Sequence, residues 1–475
     1  MMRQKPFIKL FSCSAGKYFY DVNLNDIVEI TDIEYTYLYR FIHNDNSLVS
    51  DLENSSLDHI TDLYNKGYFK AIYPEIIEHE LTPYAKDYLN KRLQGVTLQV
   101  TQNCNFRCRY CSFSGNGYFD RKHNGMRMSE DVAIKSMDFL KKNSVDLQKV
   151  RVGFYGGEPL LEFELIKKVV NYAKNIMPEK ELLFTITTNL SILTDEMLRF
   201  IVENNFQLAV SLDGPKEYHD RYRRFAVDGS GTFEIVYSKL EMIHDSFPNY
   251  FETNLTISAV IDGDDKVNEI QDFFNQSFLS TARVNFSALD SSKTDLKKNP
   301  TQEFLRSYNE NVFKVLINNY FQTEQNIQRK NEVLFSSSGD YDELIKSLAR
   351  KTSLRQIHHA GPCVPGHSKM LIAVNGDIFT CEKASNHSNT MRIGNIEIGL
   401  DYDKIYRLLN VGKITEEECK KCWAIRFCSA CAINIDNFDC LSRDLKLKEC
   451  SVTLKRVESL LKNHVTINKL KEVQR

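Results

Sequence analysis

Three cysteines fall within eight residues, Cys104, Cys108 and Cys111, in the spacing CxxxCxxC. Thiolates this close along the chain can converge on one inorganic group. A [4Fe–4S] cluster normally takes four cysteine ligands. Three leave one iron open, and an open iron is a place for chemistry. Zinc sites usually pair their ligands as CxxC plus a second pair, so zinc, or three purely structural cysteines, is the lesser reading of this stretch.

The chain holds twelve cysteines, and all but Cys13 fall in three groups: 104–111, the pair Cys363 and Cys381, and 419–450. Secreted disulfide proteins are cysteine-dense but small, so clustering in a chain of 475 residues argues for metal ligation. The last group reads Cys419-x2-Cys422-x5-Cys428-x2-Cys431, followed by Cys440 and Cys450. With Cys363 and Cys381 these thiols have the capacity for two further clusters, a pair of zinc ribbons being the alternative.

The elements that position these cysteines follow from patterning. A hydrophobic fraction of 42% in 475 residues supports a large core and more than one domain. The formal charge of −2 gives no electrostatic case for nucleic acid or an anionic membrane as partner. No apolar run approaches a membrane span and Met1 to Lys9 lacks a secretory h-region, so a cytoplasmic protein is expected. From 96 to 290 strands and helices alternate, with strands expected at 96–101, 149–155, 182–187, 207–212, 254–261 and 283–288. Ser129, Thr194 and Thr232 are expected to cap helices, and Asp265 to open one. Alternation of this kind implies an α/β fold with a parallel sheet, whose functional groups belong at the carboxyl ends of the strands. The cysteine loop follows the first strand, and Gly156-Gly157-Glu158-Pro159 follows the second. Thr187-Thr188-Asn189 ends the third, and Ser211-Leu212-Asp213-Gly214-Pro215 the fourth. Together they describe a small-molecule site of backbone groups, hydroxyls and a carboxylate.

Residues 1–73 read as a separate winged-helix-like unit. Three strands come first, then a helix from Asp32 to about His43 and a second helix capped by Ser56; residues 68–72 are expected to be extended. Its open strand edge could capture an extended peptide, but from the residues alone a plain stabilising extension is the favoured reading. Residues 74–95 read as a linker with a short helix, and 291–360 as a bridging region with two helices and a loop at Ser336–Gly339. In 361–475, Asn375-Gly376 signals a hairpin.

The cysteine loop after a first strand, with GGEP after the second, resembles the radical S-adenosylmethionine (SAM) superfamily over residues 96–290. The resemblance implies a partial (β/α)6 barrel in which Cys104, Cys108 and Cys111 hold a radical-initiating [4Fe–4S] cluster. Its open iron would bind the amino and carboxylate groups of SAM. By the same resemblance Gly156, Gly157, Glu158 and Pro159 would meet the amino group. Asn189, Ser211 and Asp213 would be candidates for contacts to ribose or carboxylate. His219-Asp220-x-x-Arg223 resembles a stretch in one branch of the family, making Arg223 a candidate for the SAM carboxylate, with a surface ion pair as the alternative. Residues 361–475 resemble a SPASM domain with two auxiliary [4Fe–4S] clusters. One would be held by Cys363, Cys381 and Cys431, with Cys440 as a fourth ligand or an open iron for a substrate thiolate. The other would be held by Cys419, Cys422, Cys428 and Cys450. The gap from Cys428 to Cys431 is one residue shorter than the family's usual run.

The whole chain resembles maturases of ribosomally made peptides, in which the N-terminal unit recognises a leader sequence. Within these it resembles maturases of cysteine-rich peptides that join a cysteine sulfur to carbon. That implies a radical SAM oxidoreductase acting through a 5′-deoxyadenosyl radical, with a leader-bearing precursor peptide and a flavodoxin- or ferredoxin-like reductant as partners. The alternatives are carbon–carbon or carbon–oxygen crosslinking, epimerisation, or oxidation of Ser or Cys in a protein substrate. A non-catalytic iron–sulfur electron-transfer or peptide-binding protein is the alternative from another class.

Overall fold

The alternation in the middle of the chain becomes one continuous sheet in a computed structural model. The structure describes residues 4–43, 58–111, 113, 123–289, 296, 299–320, 335–350, 354–359 and 363–474. The chain begins with β1 (Ile8–Cys13), β2 (Gly16–Asp21), β3 (Asp26–Ile30), α1 (Asp32–His43) and α2 (Asp58–Asn65). A strap follows, with β4 (Ile76–Ile77) and α3 (Ala85–Lys91). The central run is β5 (Gly95–Thr101), α4 (Glu130–Asn143), β6 (Lys149–Gly156), α5 (Phe163–Ile176), β7 (Glu181–Thr188), α6 (Asp195–Glu203) and β8 (Gln207–Ser211). It continues through α7 (Lys216–Tyr222), α8 (Phe233–Ser246), α9 (Pro248–Asn254), β9 (Leu255–Ile261), α10 (Val267–Asn275) and β10 (Arg283–Ala288).

Strands β5 to β10 pair in chain order, all parallel. The two ends, β5 and β10, do not pair with each other, so the barrel is partial. Each strand has an apolar face and a smaller, more polar one, as the period of two demands. Val96, Leu98 and Val100 of β5 are at most 1% exposed and pack with Met137 and Ile166 of the flanking helices. The opposite face carries Thr97, Gln99 and, in register with Thr97 and Thr185, Gly153.

Helix starts follow the capping expectations at two positions. Ser129 accepts from Val132 N, and Thr194 from Met197 N. Two others differ. The Thr232 hydroxyl donates to the Arg223 carbonyl instead, while Asp220 Oδ1 accepts from Thr232 N and Phe233 N. Asp265 stands before the cap residue Lys266; its carboxylate accepts from Asp262 N and pairs with Arg221. In both cases a tertiary partner outcompetes the local one.

β1, β2 and β3 form an antiparallel sheet beside α1 and α2, and the expected Ser56 cap lies outside the described residues. Residues 68–72 do not form a strand: Phe69 is in the left-handed region (φ 65°), its N–H held by the fully buried Asp21 carboxylate at 2.8 Å. This sheet shares a core with the far end of the chain. Phe7, Phe11, Tyr18, Tyr20 and Val22 pack with Ile425, Phe427, Val457 and Leu461, and Arg426 Nε donates to Val22 O.

Residues 74–95 are structured and partly buried, unlike a free linker. Ala85, Leu89 and Leu93 are fully buried in the main core. β4 pairs with β11 (Gln356–Ile357), which follows α11 (Gln302–Tyr320) and α12 (Phe335–Ala349). Residues 336–339, expected as a loop, are helical within α12, because Tyr341 and Leu344 one turn on anchor that helix against Leu316, Val457 and Leu461. The cysteine-rich region then continues the barrel sheet. β12 (Met370–Ile372) runs parallel to β5, and β13 (Asp377–Phe379) returns antiparallel through the Asn375-Gly376 turn. β14 (Arg392–Asn395) and β15 (Gly399–Leu400) complete ten strands. Helices α13 (Tyr402–Leu409), α14 (Glu416–Lys420) and the long α15 (Arg443–Gln474) close the chain. Among the described residues no helix is long and apolar enough to cross a membrane.

Candidate active site

The cysteine loop leaves β5 at its carboxyl end and is held from two sides by backbone. On one side are the glycines that follow β6. Gly157 N donates to Thr101 O at 3.0 Å, and Glu158 N to Asn103 O at 2.9 Å. Gly156 has φ 145°, and a Cβ there would stand 2.2 Å from Thr101 O. A Cβ on Gly157 would stand 2.1 Å from Asn103 O. Both positions therefore require glycine for close approach of two backbones. With the N–H groups of Gly157 and Glu158 committed, the segment is left with carbonyl oxygens to offer, the polarity that suits an ammonium group. On the other side runs the segment after α7. Arg107 N donates to Arg224 O, Arg109 N to Tyr222 O, and Ala226 N to Asn105 O.

The structure brings Cys104, Cys108 and Cys111 together, and their charges would act on one another. As thiols, Cys104 and Cys108 are each pushed up by burial to about 12. A metal there must displace protons to bind. Among the described residues no three His, Cys, Asp or Glu side chains gather closely enough for a single metal ion. The sulfurs also meet donors of the kind that stabilise metal-bound thiolates. Phe106 N lies 3.3 Å from Cys104 Sγ, Phe113 N 3.4 Å from Cys111 Sγ, Asn189 Nδ2 3.8 Å from Cys104 Sγ and Arg223 Nη1 3.9 Å from Cys108 Sγ. On donor chemistry the residues fit a [4Fe–4S] cluster.

Glu158 is fully buried and works inside the protein. Its carboxylate accepts from Leu160 N (3.0 Å), Thr188 Oγ1 (2.7 Å) and Asn189 N (2.7 Å). Burial pushes its carboxyl up to about 7, and the three donors offset only part of that. Glu158 thus ties the end of β6 to the end of β7 and sets Asn189 in place. Asn189 Nδ2 donates to Asn105 Oδ1 at 2.9 Å; Ser191 Oγ donates to Asn189 Oδ1, and Asn105 Nδ2 to Ser191 Oγ. Pro159 is buried and begins the short turn after Glu158. Asn105 and Ser191 were not singled out by pattern; their only signal is adjacency to Cys104 and to Asn189.

Asp213 and Arg223 face each other. Nε and Nη2 of Arg223 lie 2.9 and 3.1 Å from the two Asp213 oxygens, and the Arg223 and Asp213 side chains are 9% and 3% exposed. The pair is therefore an interior one. Tyr110 Oη donates to Asp213 Oδ2 at 2.5 Å and Val260 N to Oδ1 at 3.0 Å, while the guanidinium lies over the Tyr110 ring. His219 holds this pair. Its Nδ1 accepts from Asp213 N, and its Nε2 is 3.0 Å from Thr232 Oγ1. The Thr232 proton goes to Arg223 O, so Nε2 is the donor and His219 is neutral; burial lowers it to about 4. Ser211, half-buried at the end of β8, pairs in register with Ser258.

The remaining cysteines separate by position. Cys363, Cys381 and Cys431 act electrostatically on one another. So do Cys419, Cys422, Cys428 and Cys450. Cys440 is exposed and lines a pocket of about 720 Å³ with Glu78, Thr82, Tyr406, Asn410 and Lys413. Cys13, half-buried, lies 3.8 Å from Thr466.

Residues 98–274 match the Radical SAM superfamily. The radical SAM cyclopropyl synthase TigE of Paramaledivibacter caminithermalis is 24% identical over 256 residues, 51% of this chain and 50% of that protein. A cysteine-type anaerobic sulfatase-maturating enzyme of Clostridium novyi is 26% identical over 200 residues, 39% of this chain and 49% of that one. The chain thus spans about half the length of these two curated relatives. Among solved structures, native anSMEcpe with bound AdoMet superimposes with a TM-score of 0.57 at 18% identity, over 79% of this chain and 99% of that one. That likeness is one of fold.

Proposed function

From a radical SAM domain at residues 98–274 we propose an enzyme that modifies a ribosomally made peptide by joining a cysteine sulfur of that peptide to one of its carbons. Loaded with a [4Fe–4S] cluster and SAM, such a domain supplies a 5′-deoxyadenosyl radical, which takes one hydrogen atom from a substrate carbon. Cys104, Cys108 and Cys111 would hold the cluster, and the Gly156–Gly157 backbone fixes their loop. The Asn105–Asn189–Ser191 network and the Asp213–Arg223 pair flank that loop, and Asn189, Ser211, Asp213 and Arg223 would contact bound SAM. Their task is to orient the reacting groups and keep out water, because a radical that diffuses is wasted.

In carbon–sulfur bond formation the carbon would lose a hydrogen atom to the 5′-deoxyadenosyl radical, giving 5′-deoxyadenosine. The substrate thiol would lose its proton and bond to that carbon, and the one surplus electron would pass to an oxidised auxiliary cluster. The peptide loses two hydrogens. A flavodoxin- or ferredoxin-like protein provides the electron that begins each turnover.

One observation carries the thioether reading. Cys363, Cys381 and Cys431 act electrostatically on one another, whereas Cys440 is exposed and lines a pocket. Three thiols, where four would saturate a four-iron cluster, leave one position for a sulfur brought by the substrate. The antiparallel sheet β1–β3 supports a peptide partner, since β3 is an edge strand able to take up an extended leader.

The likeness to a cyclopropyl synthase favours a second reading, in which a carbon–carbon bond forms. Mass alone does not separate the two, because both products lose two hydrogens. The test is anaerobic turnover of the cognate cysteine-containing precursor, followed by thiol alkylation and mass spectrometry. A product two mass units lighter with one thiol fewer to alkylate is expected. The same mass loss with every thiol still alkylatable refutes the thioether and supports the second reading.

A further inference from the structure

A lysine is buried against the four-cysteine set at the start of α15. Lys446 is 2% exposed, and one helical turn separates it from Cys450 on the same face of that helix. Its Nζ lies 2.7 Å from Thr415 Oγ1 and 3.6 Å from Cys419 Sγ. Thr415 Oγ1 is itself 3.3 Å from Cys419 Sγ. The ammonium therefore reaches one sulfur twice, directly and through a hydroxyl whose own proton is free to point at that sulfur.

Among the described residues no carboxylate pairs with Lys446; its side-chain partners are Thr415 and Cys419. The nearby acid Glu418 is engaged by Arg443. A buried ammonium with no counter-charge is strongly unfavourable. Neutral thiols do not supply one. Cysteines ligating iron are thiolates, and four of them surrounding a cluster leave the site net negative. Among the described residues, a metal-loaded Cys419–Cys422–Cys428–Cys450 set is what accounts for Lys446.

We propose that Lys446 is a positioning and charge-compensating residue for the cluster held by Cys419, Cys422, Cys428 and Cys450, and that it raises that cluster's reduction potential. The inference rests on the reading that these four cysteines hold a cluster. Reduction adds an electron, and a fixed positive charge with N–H groups aimed at a ligand sulfur stabilises the reduced form more than the oxidised one. A higher potential makes this site a better acceptor for an electron released elsewhere in the protein.

The test uses the anaerobically reconstituted full chain and two variants. Lys446→Met keeps the length of the side chain and removes the charge; Lys446→Arg keeps the charge. Iron and sulfide are counted first, and each cluster is then titrated with a reductant and followed by electron paramagnetic resonance. With about twelve irons per chain in all three proteins, K446M is expected to shift one cluster to a lower potential, leave the others in place, and be rescued by K446R. Thr415→Val, which removes the hydroxyl relay, is expected to give a smaller shift in the same direction. K446M with full iron and wild-type potentials overturns the role of Lys446 while leaving the cluster reading intact. Equal loss of iron in K446M and K446R also overturns it, because shape rather than charge is then what the position supplies. Wild-type protein with only about four irons overturns the cluster reading and this inference together.

Discussion

Gly157→Ala tests the reading that the backbone after β6 sets the cysteine loop. The new Cβ would lie 2.1 Å from Asn103 O and 2.5 Å from Asn103 C. An ordinary contact between carbon and a carbonyl oxygen is about 3.3–3.6 Å. The two backbones must then part by more than about 1 Å. That separation breaks the bonds from Gly157 N to Thr101 O and from Glu158 N to Asn103 O, now 3.0 and 2.9 Å. Two hydrogen bonds contribute about 1–3 kcal/mol. Backbone shifts forced by overpacking cost about 1–3 kcal/mol in general, the same size, so the loss is about 1–3 kcal/mol, concentrated where Asn103 leads into Cys104. A shift of that size at a reacting centre lowers rate by about 100-fold. The assay is 5′-deoxyadenosine formation from SAM by reduced, reconstituted protein, beside the iron count and the Tm. Gly153→Ala is the control, because its Cβ would meet the Thr97 and Thr185 hydroxyls at 2.9 and 3.0 Å, and side chains can turn away. The expected result is strong loss of cleavage in G157A and a smaller effect in G153A. Wild-type cleavage and iron in G157A would refute the idea that these glycines hold the loop.

Glu158 makes stability depend on pH. Its folded-state carboxyl is raised from 4.5 to about 7 by burial, so its contribution is fully present below 4.5 and declines as pH rises towards 7. The decline is about 3 kcal/mol, and urea unfolding of the apoprotein from pH 4.5 to 8 should show a shallower fall in Glu158→Gln than in wild type. Arg223→Met strands the buried Asp213 carboxylate and should destabilise the protein by about 3–5 kcal/mol. R223M/D213N should recover part of this, and equal Tm values for the single and double variants would contradict the coupling. Peptide capture at β3 can be tested without deleting residues 1–73, which would uncover Ile425, Phe427 and Val457. Alternate residues of an edge strand point their N–H outward, so one of Val28→Pro and Glu29→Pro spares the β2 pairing and blocks the edge. That variant should weaken binding of a labelled leader peptide in fluorescence anisotropy while leaving SAM cleavage unchanged; unchanged affinity in both would exclude β3 as the docking edge.

Much of the fold was legible because the relevant signals are local. The alternation of strands and helices from 96 to 288, the Ser129 and Thr194 caps and the Asn375-Gly376 turn each depend on residues a few positions apart, and these the sequence alone determined. The CxxxCxxC spacing likewise confines three sulfurs to one loop whatever the rest of the chain does. Tertiary structure decided the contacts made across long separations. The Thr232 hydroxyl is drawn from its cap to Arg223 O, because a neutral His219 and the Asp220 carboxylate are both in place. β12 adds to β5 across some 270 residues because β5 is an open edge beside the barrel gap. Residues 74–95 are polar enough to read as a linker, yet Leu89 and Leu93 find the core once β4 and β11 fix the strap. Cys440 sits nine residues beyond Cys431 in sequence, but the turn closed by the Asp436–Leu441 bridge leaves it exposed on a pocket with Glu78 and Lys413, residues far away in sequence. Lys446 gave no signal at all: a lysine alternating with Leu445 and Leu447 at the start of a charged helix reads as the solvated face, and only the packing of α15 against the Thr415–Cys419 turn removes it from water.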